Sequence, residues 1–233
     1  PLMIDKLRRG EPLDEIPDVV LRTNPSSRLI LNAWRMIPLS KYPQIRHIQL
    51  ADTYPQGSQI KSGRSARMST SEGCIGNCSF CTSPKLYGRQ YNPRHVRQVV
   101  DEMEYLHDKY GIEKIYFNDD TFIKPGRDGL ERANAFCDEL QKRGIRMQFR
   151  PLLRTDSIPM NEEGDRVFRR LKENGMIMAF IGFESASQGM LNTLNKLTKV
   201  DTYKGFIERA RKEGVTLQIG YIAWHPLTTV EDL

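Results

Sequence analysis

The sequence predicts an α/β fold in which about five βα units build a parallel sheet. Three observations lead there. Short apolar runs recur at residues 67–71, 114–119, 146–154, 176–184 and 216–225. Segments with a helical period separate them. Each helical segment closes on a glycine, namely Gly111, Gly144, Gly175 or Gly214, before the next run begins. Strands joined through helices make crossover connections, which parallel pairing requires and which run right-handed.

Taken in order, residues 1–68 are rich in Pro, Arg and Lys, with short apolar pieces at 19–22 and 29–31. They read as a connecting segment with one short helix near its start. The first strand, 67–71, runs into a cluster of cysteines. Val96, Val99, Val100, Met103, Leu106 and Tyr110 then mark a helix over 93–110, with Pro93 in its first turn. Leu130, Ala133, Cys137 and Leu140 mark the second helix, Val167 and Leu171 the third, and residues 202–213 the last. The longest apolar run, MIMAFIGF, is far shorter than the roughly 20 residues of a bilayer span. It reads as a buried strand, and no membrane partner is expected.

Composition bounds the rest. With 39% hydrophobic and 27% charged residues the chain is an ordinary soluble sequence, which excludes a disordered one. The first residues are charged early and lack the apolar segment of a signal peptide. The chain opens on Pro1, so it is read as a piece of a longer protein. A net charge of +6 is compatible with an anionic partner but does not point to nucleic acid. Four cysteines are too few for a disulfide scaffold of this length. Three of them crowd together, which predicts a metal site in a reducing compartment, the cytoplasm.

Those three are Cys74, Cys78 and Cys81, spaced Cys-x3-Cys-x2-Cys directly after the first strand. Three thiolates on a tight loop can ligate three irons of a cubane cluster, whereas ordinary ferredoxin-type clusters take four. One iron is then open to a bidentate ligand. The competing interpretation is a structural zinc site, but zinc asks for four closed ligands and no second Cys or His pair follows; His95 begins a helix. Cys137 falls on an apolar helical stripe and reads as a core residue.

The cysteine spacing, with the aromatic Phe80 just before the last cysteine, resembles the signature of the radical S-adenosylmethionine (SAM) superfamily. The segments SEGCIGNCSFCTSPKLYGRQYNPRHVRQVVDEMEYL, IYFNDDTF and GFESASQGML resemble its branch with an N-terminal cobalamin-binding domain, which includes anaerobic Mg-protoporphyrin ester cyclase-like enzymes and class B methyltransferases. GEPLDEIPDVVLR resembles the linker that follows that domain; AWRMIP and the AWHP at the end of the fifth strand depart from the branch. The resemblance implies a partial (β/α)6 TIM-like barrel, here truncated to about five βα units, with 1–68 as linker and 69–233 as catalytic core. It implies a [4Fe–4S] cluster, SAM and cobalamin as cofactors. Reductive cleavage of SAM to a 5′-deoxyadenosyl radical, hydrogen abstraction and cobalamin-dependent methyl transfer would follow. The substrate would be a small molecule or natural product, and the electron donor an acidic flavodoxin- or ferredoxin-type protein. A cobalamin-independent enzyme such as a methylthiotransferase is the alternative.

Ligands in a parallel α/β sheet bind beyond the carboxyl ends of the strands. Polar residues at those ends are therefore the candidates. Asp119 or Asp120 could accept from the SAM ammonium group, or else form a turn and helix cap. Arg154 could pair with its carboxylate, or else with a surface acid. Glu184 and Ser187 could bind the ribose or the methionyl group, and Ser187 could instead cap the following helix. The backbone around Phe80 would lie against adenine, as the resemblance implies. His225 could line the substrate cavity or form a turn. Arg64, Arg67, Lys85, Arg89, Arg94 and Arg97 make the surroundings basic, either as a solvated face or as a docking site for an acidic donor.

Overall fold

A computed structural model describes residues 2–13, 16, 20–21, 30–31 and 65–230. The chain divides into two compact units, Pro1–Ile37 and Pro38–Leu233. The first holds α1 (Leu2–Arg9), the short helix expected near the start, and the antiparallel pair β1 (Val20–Leu21) and β2 (Ile30–Leu31). Residues 32–64 of the expected linker, Arg64 included, lie outside the described residues.

The second unit carries the βα repeat. Its elements are β3 (Ser65–Met68), β4 (Ser71–Glu72), α2 (Ser83–Tyr87), β5 (Asn92–Pro93), α3 (Val96–Tyr110), β6 (Lys114–Phe117) and α4 (Arg127–Arg143). There follow β7 (Gln148–Arg150), β8 (Leu152–Arg154), α5 (Glu162–Glu173), β9 (Met178–Glu184), α6 (Gln188–Thr193), α7 (Asp201–Lys212) and β10 (Thr216–Tyr221). Pairing is parallel in the order β3-β6-β7 and then β8-β9-β10. The chain passes from one trio to the other through Pro151, and a bridge between Phe149 and Met176 links them again. Among the described residues β3 and β10 each pair on one side only, so the sheet is an open partial barrel.

Four expectations are corrected. The third strand is broken at Pro151, whose missing N–H interrupts the ladder; β7 pairs with β6 and β8 with β9. The first strand stops at Met68, because the N–H groups of Thr70 and Ser71 donate to Asp119 instead of to a strand. Pro93 lies outside the helix. It pairs with Ser71 in the small β4–β5 ladder, Arg94 N–H donates to Thr70 O at 2.9 Å, and α3 begins only at Val96. The fifth strand also ends early, at Tyr221.

Alternation along the strands sorts the side chains. Ile115, Phe117, Phe149, Ala179 and Ile181 face the helices and are essentially inaccessible. Phe117, Phe122, Phe136 and Phe149 interlock there with centroids 5.1–6.5 Å apart. The helical stripes close the core from outside, Val99, Val100, Met103 and Leu106 on α3 and Leu130, Ala133, Phe136, Cys137 and Leu140 on α4. Gly111 and Gly144 end those helices at φ of 64° and 66°, a conformation that costs glycine little. No helix among the described residues is long and apolar enough to cross a membrane.

Candidate functional site

The cysteine loop starts where β4 ends. Its base is held from below by β6. Alternation carries two residues past that strand, so Asn118 falls on the open face and Asp119 on the helix side. Asp119 is therefore 2% exposed and accepts from Thr70 N–H at 2.6 Å, Ser71 N–H at 3.1 Å and the Thr70 hydroxyl. Burial pushes its carboxyl up to about 6, against the pull of those bonds and of Arg132. Arg132 closes the knot by donating to Thr70 O and Phe122 O. Of the expected rim acids, then, Asp119 is turned inward as a brace. Asp120 accepts from Gly73 N–H at 2.9 Å, at the mouth of the loop. Beside it the Glu72 carboxyl is raised, by burial first and by Asp120 second, so two acids flank the loop's entry.

The far side of the loop is basic. Arg154 is 7% exposed and grips Asp156 with two hydrogen bonds of 2.8 Å. Its Nη1 presses on Gly76, where a Cβ would lie 2.6 Å away. The structure thus gives the Arg154 guanidinium to Asp156 and to the loop, not to an open rim. Lys196 is the cation that sequence reasoning missed. Its Nζ meets Glu184 Oε1 at 2.9 Å, with both side chains largely buried. Burial raises the Cys78 thiol, while Lys196 and Arg154 pull it down. Gly76 N–H also donates to Cys74 Sγ at 3.3 Å.

Glu184 owes its aim to a β-bulge. The register between β9 and β10 slips so that Tyr221 pairs with Glu184, and Glu184 takes φ of 66°. A non-glycine residue there costs on the order of 1 kcal/mol. Gly182 leaves the room, since a Cβ would fall 2.3 Å from Glu184 Oε1 and 2.8 Å from Lys196 Nζ. The loop is moored to the same region. Ser79 N–H donates to Leu194 O at 2.9 Å, and Asn195 Nδ2 to Asn77 O at 2.8 Å.

The remaining candidates fall as follows. Phe80 is 43% exposed, on the loop's outer surface. Ser187 caps α6, its hydroxyl accepting from Met190 N–H at 3.1 Å. His225 sits in a turn with Thr228. Arg94 leaves the expected basic face, since it is buried against Glu102 at 2.6 Å and donates to Ser69 O. Cys137 is buried on α4 with its thiol pushed up to about 12, an inert core residue.

Cys74, Cys78 and Cys81 are free thiols on one short loop. Among the described residues no three His, Cys, Asp or Glu side chains converge tightly enough to hold a single metal ion. A cubane makes a different demand, since each thiolate reaches its own iron. The donor set fits that demand: three thiols, a backbone N–H on one sulfur, and two buried cations to offset anionic charge.

A parallel α/β half-barrel with a three-cysteine loop beyond its first strand defines a class of cluster-binding enzyme cores. The chain belongs to the radical SAM superfamily, whose family model matches residues 68–231. It is 27% identical over 244 residues to an uncharacterized methyltransferase of Pyrococcus horikoshii, covering 99% of this chain and 48% of that protein. It is 26% identical over 225 residues to the hopanoid C-3 methylase of Methylococcus capsulatus, covering 96% of this chain and 40% of the other. In fold it is similar to the cobalamin-dependent SAM radical enzyme OxsB with aqua-cobalamin bound, with a TM-score of 0.82 at 24% identity, covering 99% of this chain and 33% of that one. The chain thus spans about half the length of these relatives, or less.

Proposed function

We propose that this chain is the SAM-cleaving core of a cobalamin-dependent radical SAM methyltransferase, with Cys74, Cys78 and Cys81 as the ligands of a [4Fe–4S] cluster. The observation that carries the reading is the polarity of the cysteine loop. Acids Glu72 and Asp120 stand at its entry, cations Arg154 and Lys196 at its back, and three free thiols between. SAM is a sulfonium zwitterion, and that distribution matches its ammonium and carboxylate ends. When bound, the cluster supplies the electron that cleaves SAM into methionine and the 5′-deoxyadenosyl radical that takes hydrogen from substrate.

The chain's own residues orient and enclose. Asp119 holds the loop base, and Arg154 holds its middle through Gly76. Glu184 and Lys196, poised in a mutual ion pair, separate to take the ribose or methionyl group and the carboxylate of SAM. The backbone around Phe80 lies against the adenine. The resemblance to cobalamin-dependent proteins and to methyl-transferring ones supports a corrinoid held by a domain beyond this chain, and a small-molecule acceptor. Lys85, Arg89 and Arg97 remain as the basic surface for an acidic electron donor.

Anaerobic reconstitution of single Cys→Ala variants tests the ligand set. Cys74→Ala, Cys78→Ala and Cys81→Ala should each lose cluster iron and its absorption near 400 nm, while Cys137→Ala retains both. Loss in Cys137→Ala with retention in Cys78→Ala would sink the assignment. Titration of the full-length protein with hydroxocobalamin tests the branch separately; if no corrinoid binds, the cobalamin reading falls while the cluster reading stands.

A further inference from the structure

The open face of the sheet carries a row of residues that the cluster site does not use. Arg67, Tyr116 and Arg150 are register neighbours on β3, β6 and β7. They alternate with the buried Met68, Phe117 and Phe149, and so point away from the helices. Arg67 Cζ lies 5.7 Å from the Tyr116 ring centroid and Arg150 Cζ lies 5.6 Å from the same centroid. Arg150 also rests against Phe180, at 5.4 Å. Ring contacts occupy the faces of a guanidinium and leave its in-plane N–H groups for other partners.

Those N–H groups are underused. Arg150 Nη2 donates to Gln218 Oε1 at 2.8 Å, and Arg67 Nη1 reaches Asn118 Oδ1 at 3.3 Å. Arg150 Nε is buried and has no partner. Neither arginine meets a carboxylate among the described residues. Arg94, Arg154 and Arg209, by contrast, each close on one, and Arg143 closes on three. Arg150 is half-buried beside a second guanidinium, and its own is lowered by burial first and by Arg67 second. A cavity of about 280 Å³ opens next to the row, lined by Ser65, Glu113, Lys114, Tyr116 and Gln148.

We propose that Arg67 and Arg150, flanking Tyr116, form a receptor for an oxyanion borne by the substrate, a phosphoryl, phosphonyl or carboxylate group. Two forked donors can clamp such a group bidentately, and its charge removes their mutual repulsion. Gln218 and Phe180 fix the Arg150 fork, and Tyr116 fixes the spacing. That the occupant belongs to the substrate rests on the radical SAM reading, which makes the open face the substrate side; the anion site itself stands on the geometry.

The test uses the cluster-free protein, so that it is independent of cofactor loading. Inorganic phosphate, methylphosphonate and acetate are titrated at constant ionic strength set with chloride, and binding is followed by calorimetry. Saturable binding of at least one of them is expected, weakened tenfold or more in Arg150→Gln and in Arg67→Gln, and unchanged in Lys212→Gln, which alters an exposed lysine at the end of α7. Arg67 lies on the edge strand, so its variant keeps the test sound if Arg150→Gln folds poorly. Preference for phosphate or methylphosphonate over acetate assigns a phosphorus oxyanion, and the reverse order a carboxylate. No saturable binding above chloride, or binding that survives both substitutions, overturns the proposal. Reconstitution of the same variants keeps the two readings apart. Wild-type iron content in both variants is expected, and failure of the wild type to take up iron would count against the radical SAM reading alone.

Discussion

The two faces of one sheet differ more than any two segments of the chain. On the helix side, Ile115, Phe117, Phe149 and Ile181 are packed and almost fully buried. One residue along each strand, the other face presents Arg67, Tyr116, Arg150 and Phe180. The first set is there for stability and tolerates no charge, except where Asp119 is fully bonded. The second carries charge at little benefit to the fold. The difference teaches that folding uses one half of the alternation and leaves the other half free for binding.

The sharpest way to break the comparison is to truncate neighbours on opposite faces. Phe149→Ala should cost about 3–5 kcal/mol in urea unfolding of the cluster-free protein, from lost burial and the cavity left behind. Arg150→Ala, one residue away, should cost less than about 1 kcal/mol, since it removes charge repulsion along with contacts. Equal costs would erase the distinction between faces.

Asp119 tests the exception. Its carboxyl titrates near 6 when folded, above the roughly 3.9 of an unfolded chain. The folded state therefore holds the extra proton between those values. Stability from this group is full below about pH 4 and lost as pH rises through 6. The stability of the wild type relative to Asp119→Asn should fall by about 3 kcal/mol between pH 4 and 7 and then level off. A flat difference across that window would mean that the carboxyl is not held in its buried, raised state.

The smallest expected effect lies where the faces meet the rim. Gly182→Ala places a Cβ between Glu184 and Lys196. It should weaken SAM affinity about tenfold, roughly 1.4 kcal/mol, in anaerobic equilibrium dialysis, with iron content unchanged. Unchanged affinity would separate the Glu184–Lys196 pair from SAM.

Much of this was legible in the sequence because the signals are local. Short apolar runs and helical period marked the five strand regions and the helices between them, and the Cys-x3-Cys-x2-Cys spacing marked the loop. What was not legible depends on partners far along the chain. Pro151 looked like part of one strand, and only the switch of pairing partner from β6 to β9 shows why a proline is accepted there. Pro93 matched a helix start until Ser71 claimed it. Asp119 and Asp120 were indistinguishable as a pair; counting alternation two residues past Phe117 would have sent Asp119 inward. Lys196 sits in a short turn after α6 with no periodicity to mark it, and Asp156 was one more acid in a loop.

The mooring of the cysteine loop sets an order of events during synthesis. Asn195, which holds Asn77, lies 118 positions downstream. At translation rates of about 5–20 residues per second, that stretch takes on the order of ten seconds to emerge. For that interval Cys74, Cys78 and Cys81 are outside the ribosome without the groups that shape their loop, and Lys196 is not yet beside Cys78. The nascent chain is then a carrier of three neighbouring thiols, open to oxidation or to a stray ion. Iron that arrives before residue 196 meets a flexible peptide, and iron that arrives after it meets a site.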